Sequence, residues 1–135
     1  ILFIPIQGYS VKGILLFLLF SITAASIFSS VLVAFHALTF YMGSSEAITG
    51  LVMEFLITFS IYPEGIFQGG IKVILYSLLP VAFIGYIPVK LLNNFDLKLF
   101  IILLAVAGLW LIIAYSFFYK GLKRYESGNL ITNKL

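Results

Sequence analysis

From Gly13 to Ser45 the chain carries no charged residue, and from Leu99 to Tyr119 a further 21 residues carry none. These two runs constrain the fold more than any other feature. A helix from Ile14 to Met42 would be ~43 Å long at 1.5 Å rise per residue, against a hydrocarbon core of ~30 Å. One span fits, tilted or protruding into a headgroup layer. Two spans do not fit, because no turn chemistry divides the run. The second run is the cleanest span in the chain, and Trp110 lies well inside it, where it reads as packing rather than as an interfacial anchor.

Composition agrees. Hydrophobic residues make up 62% of the chain and charged residues 10%, whereas a soluble domain has about a quarter charged residues. Too few polar side chains exist to cover a water-exposed globule, so the chain is an integral membrane protein. The runs are helical in length and lack the alternation over ~10 residues that marks a barrel strand. With no cysteine, disulfides and thiolate metal sites are excluded. The formal charge of +3 comes from scattered basic residues and one terminal cluster, and it does not point to nucleic acid. The chain starts at Ile1 with a short apolar piece, Ile1–Gly8, broken by Pro5. No signal-peptide layout is readable there. The expectation is a fragment whose missing N-terminal part holds further spans.

Small residues repeat at four-residue steps along the first run. Ser21, Ala25 and Ser29 form one ridge, with Ser26, Ser30 and Ala34 beside it. Such ridges let helices approach closely in lipid, either at a subunit interface or in ordinary packing within one bundle. His36 lies late in the span and has no second histidine to join it in a relay or metal site. Gly43, Ser44 and Ser45 break the run. Ser44 or Ser45 is placed to cap the next helix, and Glu46 suits its positive end. That helix is expected to reach about Ile61 and carries Glu54 near its middle. An unpaired ionisable group facing lipid at depth costs ~2.5 kcal/mol or more. Glu54 is therefore expected to face the bundle interior, a cavity or a subunit interface.

The stretch from Tyr62 to Asn94 differs from everything around it. It is apolar enough for a bilayer, yet it holds Pro63, Pro80 and Pro88, four glycines, and the charges Glu64, Lys72 and Lys90. Pro63 stops the preceding helix, because a residue before proline disfavours the α region. Ile71–Leu79 reads as one short helix, and Pro80 starts or kinks another that Gly85 weakens and Pro88 ends. Non-helical backbone at membrane depth is tolerated only where protein buries it or where it lines a water-filled cavity. Two short helices that dip in and return satisfy that rule better than one lipid-facing span. The fold expected is therefore all-α: a polytopic membrane helix bundle of three transmembrane helices, with a re-entrant pair of short helices before the last span, forming a single domain over residues 1–135.

Lys120, Lys123, Arg124 and Lys134 against Glu126 mark the tail, residues 120–135, as cytoplasmic, and an anionic-lipid anchor is a compatible second role. With that end inside, the polar turn Asn93–Asp96 is external. A re-entrant 62–94 then makes the Glu54 helix run outward and leaves the Gly43–Ser45 loop cytoplasmic. A crossing 62–94 reverses both placements.

No chemistry of catalysis is spelled out. No Gly-x-x-x-x-Gly-Lys-Ser/Thr loop occurs, one histidine cannot build a zinc site, and the sole aspartate, Asp96, lies in a loop. The residues describe a channel wall, a transporter subunit or a helper, and no cofactor is expected on this chain.

The order of features is nonetheless specific. A short span precedes Tyr62-Pro63-x-x-Ile66-Phe67. About a dozen residues later come Leu79-Pro80-Val81-Ala82-Phe83, then Tyr86-x-Pro88 and Leu91-Leu92. A clean last span follows, with a basic tail containing Arg124-Tyr125-x-Ser127-Gly128. From Phe40 to Gly128 this resembles the C-terminal half of a bacterial permease of the type-2 ABC export family, although Tyr41 stands where such permeases often carry tryptophan. The resemblance implies six spans with both ends cytoplasmic, of which spans four to six lie here. It implies a re-entrant segment at the outer face, a second permease as partner, and two separate ATP-binding subunits docked inside. The chain would thus be a multi-pass subunit in the cell membrane that hydrolyses no ATP itself. Tyr62, Pro63, Pro80, Tyr86 and Pro88 would shape an outer gate within 62–94, or serve as static turn geometry. Glu54, read from its depth in the helix, would be a polar element of the translocation path, or a hydrogen-bonded structural carboxylate or part of a shallowly seated helix. Two other readings stay open: an ion-coupled transporter or channel using Glu54 and His36, and a non-transporting scaffold working through the Ser21–Ala25–Ser29 ridge.

Overall fold

The computed structural model describes residues 10–132. The Ile1–Gly8 piece and the last three residues of the tail lie outside them. Every regular element among the described residues is helical. The long ones are α1 (Val11–His36), α3 (Glu46–Ile61) and α7 (Leu97–Thr132). The short helix α2 (Thr39–Met42) follows α1, and between α3 and α7 lie α4 (Gly70–Tyr76), α5 (Val81–Ile84) and α6 (Tyr86–Asn93). Two stretches, Val11–Met42 and Leu97–Gly128, are long and apolar enough to cross a membrane. At 16 residues, α3 is ~24 Å long.

Helix α1 packs chiefly on α7, and the two run parallel. Phe20 meets Phe100 edge-on at 6.0 Å, and about five turns further along Phe40 meets Phe118 at 5.8 Å. The seam repeats every seven residues. Phe20, Ile27 and Ala34 are buried on α1, facing a helix that buries Ala107, Ala114 and Gly121. A seven-residue repeat keeps one stripe of each helix on its partner, and the small residues on α7 make room for the larger ones on α1. Four of the five hydroxyls on α1 bond to its own turns: Ser21 donates to Phe17 O, Thr23 to Leu19 O, Ser26 to Ile22 O and Ser30 to Ser26 O, at 2.6–2.8 Å. In an apolar surround this leaves those groups satisfied without a neighbour.

At the end of α1, Gly43 takes φ 83° and closes α2, its N–H donating to Thr39 O. Such a left-handed end suits glycine. Ser45 occupies the cap position of α3 but does not cap it through its side chain. Its hydroxyl is instead paired with Thr39 Oγ1 at 2.5 Å and lies 3.4 Å from His36 O. The expected cap is thus replaced by a clasp holding the turn between α1 and α3. Helix α3 packs back against α1 and ends at Ile61, as expected, with Tyr62 extended (φ −75°, ψ 142°) before Pro63.

The stretch between α3 and α7 departs from the expected pair of helices. It begins with a single 3₁₀ turn, Glu64–Ile66, and then contains three short helices. Gly85 does not merely weaken the second piece but divides it into α5 and α6. Pro88 does not end that piece. It sits in the first turn of α6, where an N–H has no partner within the helix and proline is tolerated. Helix α6 runs on to Asn93. Asp96 then caps α7: the Lys98 N–H donates to Asp96 Oδ1 at 2.8 Å and the Phe100 N–H to Asp96 O at 2.9 Å.

The turn into α5 and α5 itself, residues 79–83, are buried without a break, and α6 buries one side through Ile87, Pro88 and Leu91. Val81 and Ala82 are fully buried, as are nearly all of Phe83, Ile87 and Leu91. They join Phe20, Ile27, Leu56 and Leu103 from the three long helices in one core. Large apolar side chains elsewhere, such as Leu51, Ile57, Ile101, Leu109 and Ile112, are exposed on the outer faces. A bilayer covers such faces; water does not.

Candidate functional site

The residues of 62–94 that shape its path fall into two groups. Tyr62 and Pro63 are exposed at the end of α3, whereas Pro80 and Pro88 are buried and Tyr86 is half-buried. Pro80 is the centre of a tight turn (φ −77°, ψ 47°) in which the Val81 N–H donates to Leu79 O at 2.7 Å. Proline supplies that φ at no entropic cost, and the turn has the character of an inverse γ-turn. It bends the chain between α4 and α5 inside the core.

The break between α5 and α6 is seated on the last turn of α3. The Tyr86 hydroxyl donates to Phe59 O at 2.7 Å. That carbonyl belongs to the turn whose oxygens lack a helical partner, so Tyr86 supplies what the helix end cannot. One residue earlier, Gly85 lies so close that an added β-carbon would stand 2.8 Å from Ser60 O. A glycine is required by that approach alone, since its φ of −103° is open to any residue. Phe59 is itself stacked on Phe55 at 4.0 Å and touches Phe67 at 5.1 Å, so the chain leaving α3 also folds back on it. Pro80, Tyr86 and Pro88 therefore act on one packed unit, while Tyr62 and Pro63 stand at its edge.

Glu54 is exposed. On α3 the buried and half-buried positions are Thr49, Val52, Phe55, Leu56, Phe59 and Ser60. At 3.6 residues per turn, Glu54 projects from the middle of the opposite face, flanked by Ala47, Gly50, Leu51, Thr58 and Ile61, all exposed. Of the three surroundings expected for it, the interior of this helix packing is thus ruled out. His36 is also exposed, at the far end of α1.

The two ridges on α1 separate. Ser30 and Ala34 are buried and Ser26 half-buried, whereas Ser21, Ala25 and Ser29 are exposed. Ala25 and Ser29 line an open groove of about 540 Å³ whose other wall is Leu111, Ala114 and Tyr115 of α7. Ordinary packing within the bundle accounts for the second ridge and not for the first.

Two features escaped sequence reasoning. Gly85 has no local motif to announce a close approach. Gly121 likewise looks like an isolated glycine in a basic tail, yet an added β-carbon there would lie 2.6 Å from the Phe40 ring. Its one sequence signal is the seven-residue step from Ala107 and Ala114.

These features define a helical membrane protein whose central broken segment is packed among three long helices. A family model described as ABC-2 family transporter protein matches residues 4–129. The chain belongs to that family and is a membrane permease component of an ABC transporter. The family's permeases associate with ATP-binding subunits and are transport components rather than catalysts. No curated protein and no solved structure matched the chain.

Proposed function

We propose that the chain is the permease subunit of an ATP-driven exporter, forming the path with a second permease while a separate ATP-binding subunit hydrolyses the nucleotide. The observation that carries this reading is Glu54. A carboxylate at the middle of a membrane helix, on the face turned away from its own core, costs ~2.5 kcal/mol or more if lipid covers it. A water-lined path or a facing subunit removes that cost. Of its neighbours on that face, Ala47, Gly50 and Thr58 are small or mildly polar, while Leu51 and Ile61 are large and apolar.

In this reading α1, α3 and α7 are the three spans. With α1 and α7 parallel and α3, between them in the chain, packed back against α1, both ends of 62–94 would lie at one side. That supports a segment dipping in from outside, with the C-terminus cytoplasmic. Nucleotide-driven shifts at the inner helix ends are carried along α3. Its outer end is joined to the α5–α6 break by Tyr86 and Gly85, so the gate segment moves with α3 as one body. Pro80 and Pro88 keep that body compact, and Tyr62 and Pro63 form the hinge at its edge.

The test is purification of the full-length protein with an ATP-binding partner. ATP hydrolysis stimulated by substrate and export abolished by inactivating the partner are expected. Transport by the permease alone would overturn the reading. Cysteines placed singly at Gly65 and Ser44 test the topology. Labelling from outside at residue 65, with residue 44 silent, is expected, and the converse pattern rejects the re-entrant segment.

A further inference from the structure

At the C-terminal end of α7 three cations share one helical face. Lys120, Lys123 and Arg124 are spaced i, i+3 and i+4, all exposed, and that spacing places them side by side. None has a carboxylate partner among the described residues. Two are braced by aromatic rings instead. Lys123 Nζ lies 4.6 Å from the centroid of Tyr119, and the Arg124 guanidinium carbon 5.4 Å from that of Tyr41. Tyr41 reaches Arg124 because α2 is fixed against α7: Phe40 packs on Gly121 and faces the rings of Phe118 and Tyr125. Two elements thus hold an un-neutralised positive face in place.

Depth decides what this face meets. The charge-free part of α7, Leu99–Tyr119, spans ~31 Å at 1.5 Å per residue, close to the ~30 Å hydrocarbon core. Lys120 therefore stands at its edge. Lys123 and Arg124 lie ~5–6 Å further out, within a headgroup layer ~5–7 Å deep on each side. Exposed Tyr115, Phe117, Phe118 and Tyr119 form the aromatic belt just beneath. A ring beneath each of two cations presents them without cancelling them, as a ligand phosphate at this depth requires. The other lysines near span ends lack this arrangement: Lys12 is solitary, and Lys98 follows Asp96 by two residues.

We propose that Lys120, Lys123 and Arg124, with Tyr41 and Tyr119, form a binding site for the headgroup phosphate of an anionic phospholipid in the leaflet on the C-terminal side. The proposal rests on the membrane placement of α7 and is independent of the direction or energy source of transport.

The full-length permease, with any chain that co-purifies, is reconstituted in vesicles of mixed phosphatidylcholine and phosphatidylglycerol and re-extracted. The retained lipids are counted by native mass spectrometry. Enrichment of phosphatidylglycerol is expected, falling about fivefold for each cation replaced in the series Lys120→Gln, Lys123→Gln, Arg124→Gln. Tyr41→Ala is expected to lower it as well, by releasing Arg124. Lys12→Gln is the charge-matched control and should change nothing. The unaltered protein gives a second measurement: its enrichment should fall as salt rises above physiological strength. Three results overturn the proposal: enrichment unchanged in the triple variant, an equal loss in Lys12→Gln, or no salt dependence. Loss of a co-purifying ATP-binding subunit with lipid retention intact would likewise overturn it, by making this a protein-docking face.

Discussion

The junction of α3 with the α5–α6 break gives a prediction in which the geometry leaves little room. In Gly85→Ala the new β-carbon would sit 2.8 Å from Ser60 O and 3.4 Å from Ser60 Cα. Favourable C–H···O contacts settle at ~3.3–3.6 Å, so the two backbones must separate by about half an ångström or more. No side-chain rotamer can relieve this, because both sides are main chain. Overpacking of this kind costs ~1–3 kcal/mol, a factor of roughly 5–150 in the unfolding equilibrium. The separation also lengthens the 2.7 Å bond from Tyr86 to Phe59 O, so the upper part of that range is expected. Tyr86→Phe alone leaves the carbonyl without its donor and should cost ~1–3 kcal/mol. Because both changes open one junction, the double variant should cost less than their sum. The assay is reversible unfolding of the purified full-length permease in mixed micelles titrated with SDS, followed by helical circular dichroism. Gly108→Ala is the control. It meets nothing within 4 Å, and its effect should stay within ~1 kcal/mol, toward greater stability, by helix propensity. A Gly85→Ala midpoint equal to that of Gly108→Ala, or strictly additive costs in the double variant, would refute the reasoning.

Gly121→Ala drives a β-carbon to 2.6 Å from the Phe40 ring. It should destabilise by ~1–3 kcal/mol, and Phe40→Ala in the same chain should recover part of that loss, read in the same titration. Leu103, with no exposed surface in the core, should cost ~2–5 kcal/mol as Leu103→Ala, whereas Leu109→Ala on the exposed face should stay within ~0.5 kcal/mol. Ser45→Ala removes the clasp to Thr39 and His36 O and should cost ~1 kcal/mol; an unchanged midpoint would show that the turn is held by backbone alone. Glu54→Gln should leave folding and membrane insertion intact while changing the export rate in vesicles, and an unaltered rate would remove Glu54 from the path.

Several boundaries were legible from residue types because they depend on chemistry local to the chain. The charge-free runs name α1 and α7, since no other arrangement satisfies so much apolar surface and backbone in a bilayer. Pro63 ends α3 where the restriction on its predecessor requires. Polar Asn93–Asp96 starts α7 because an aspartate can bond the free N–H groups of a helix start. The broken character of 62–94 was equally plain from three prolines and four glycines.

Which face each helix turns inward was not legible. In a soluble helix, water sorts polar from apolar sides, and the stripe can be read directly. Here the outer face meets lipid and is as apolar as the core, so hydropathy carries no direction. Close fit decides instead. Ala107, Ala114 and Gly121 make one stripe of α7 narrow, and that choice buries Ser30 and Ala34 while leaving Ser21, Ala25 and Ser29 outside. The same fit turns Glu54 away from the core and brings Gly85 against Ser60. Pro88 shows the limit most plainly: whether it ends one helix or sits in the first turn of the next depends on where Gly85 breaks the chain, and the main chain of α3, 25 residues earlier, makes room there for a glycine and nothing larger.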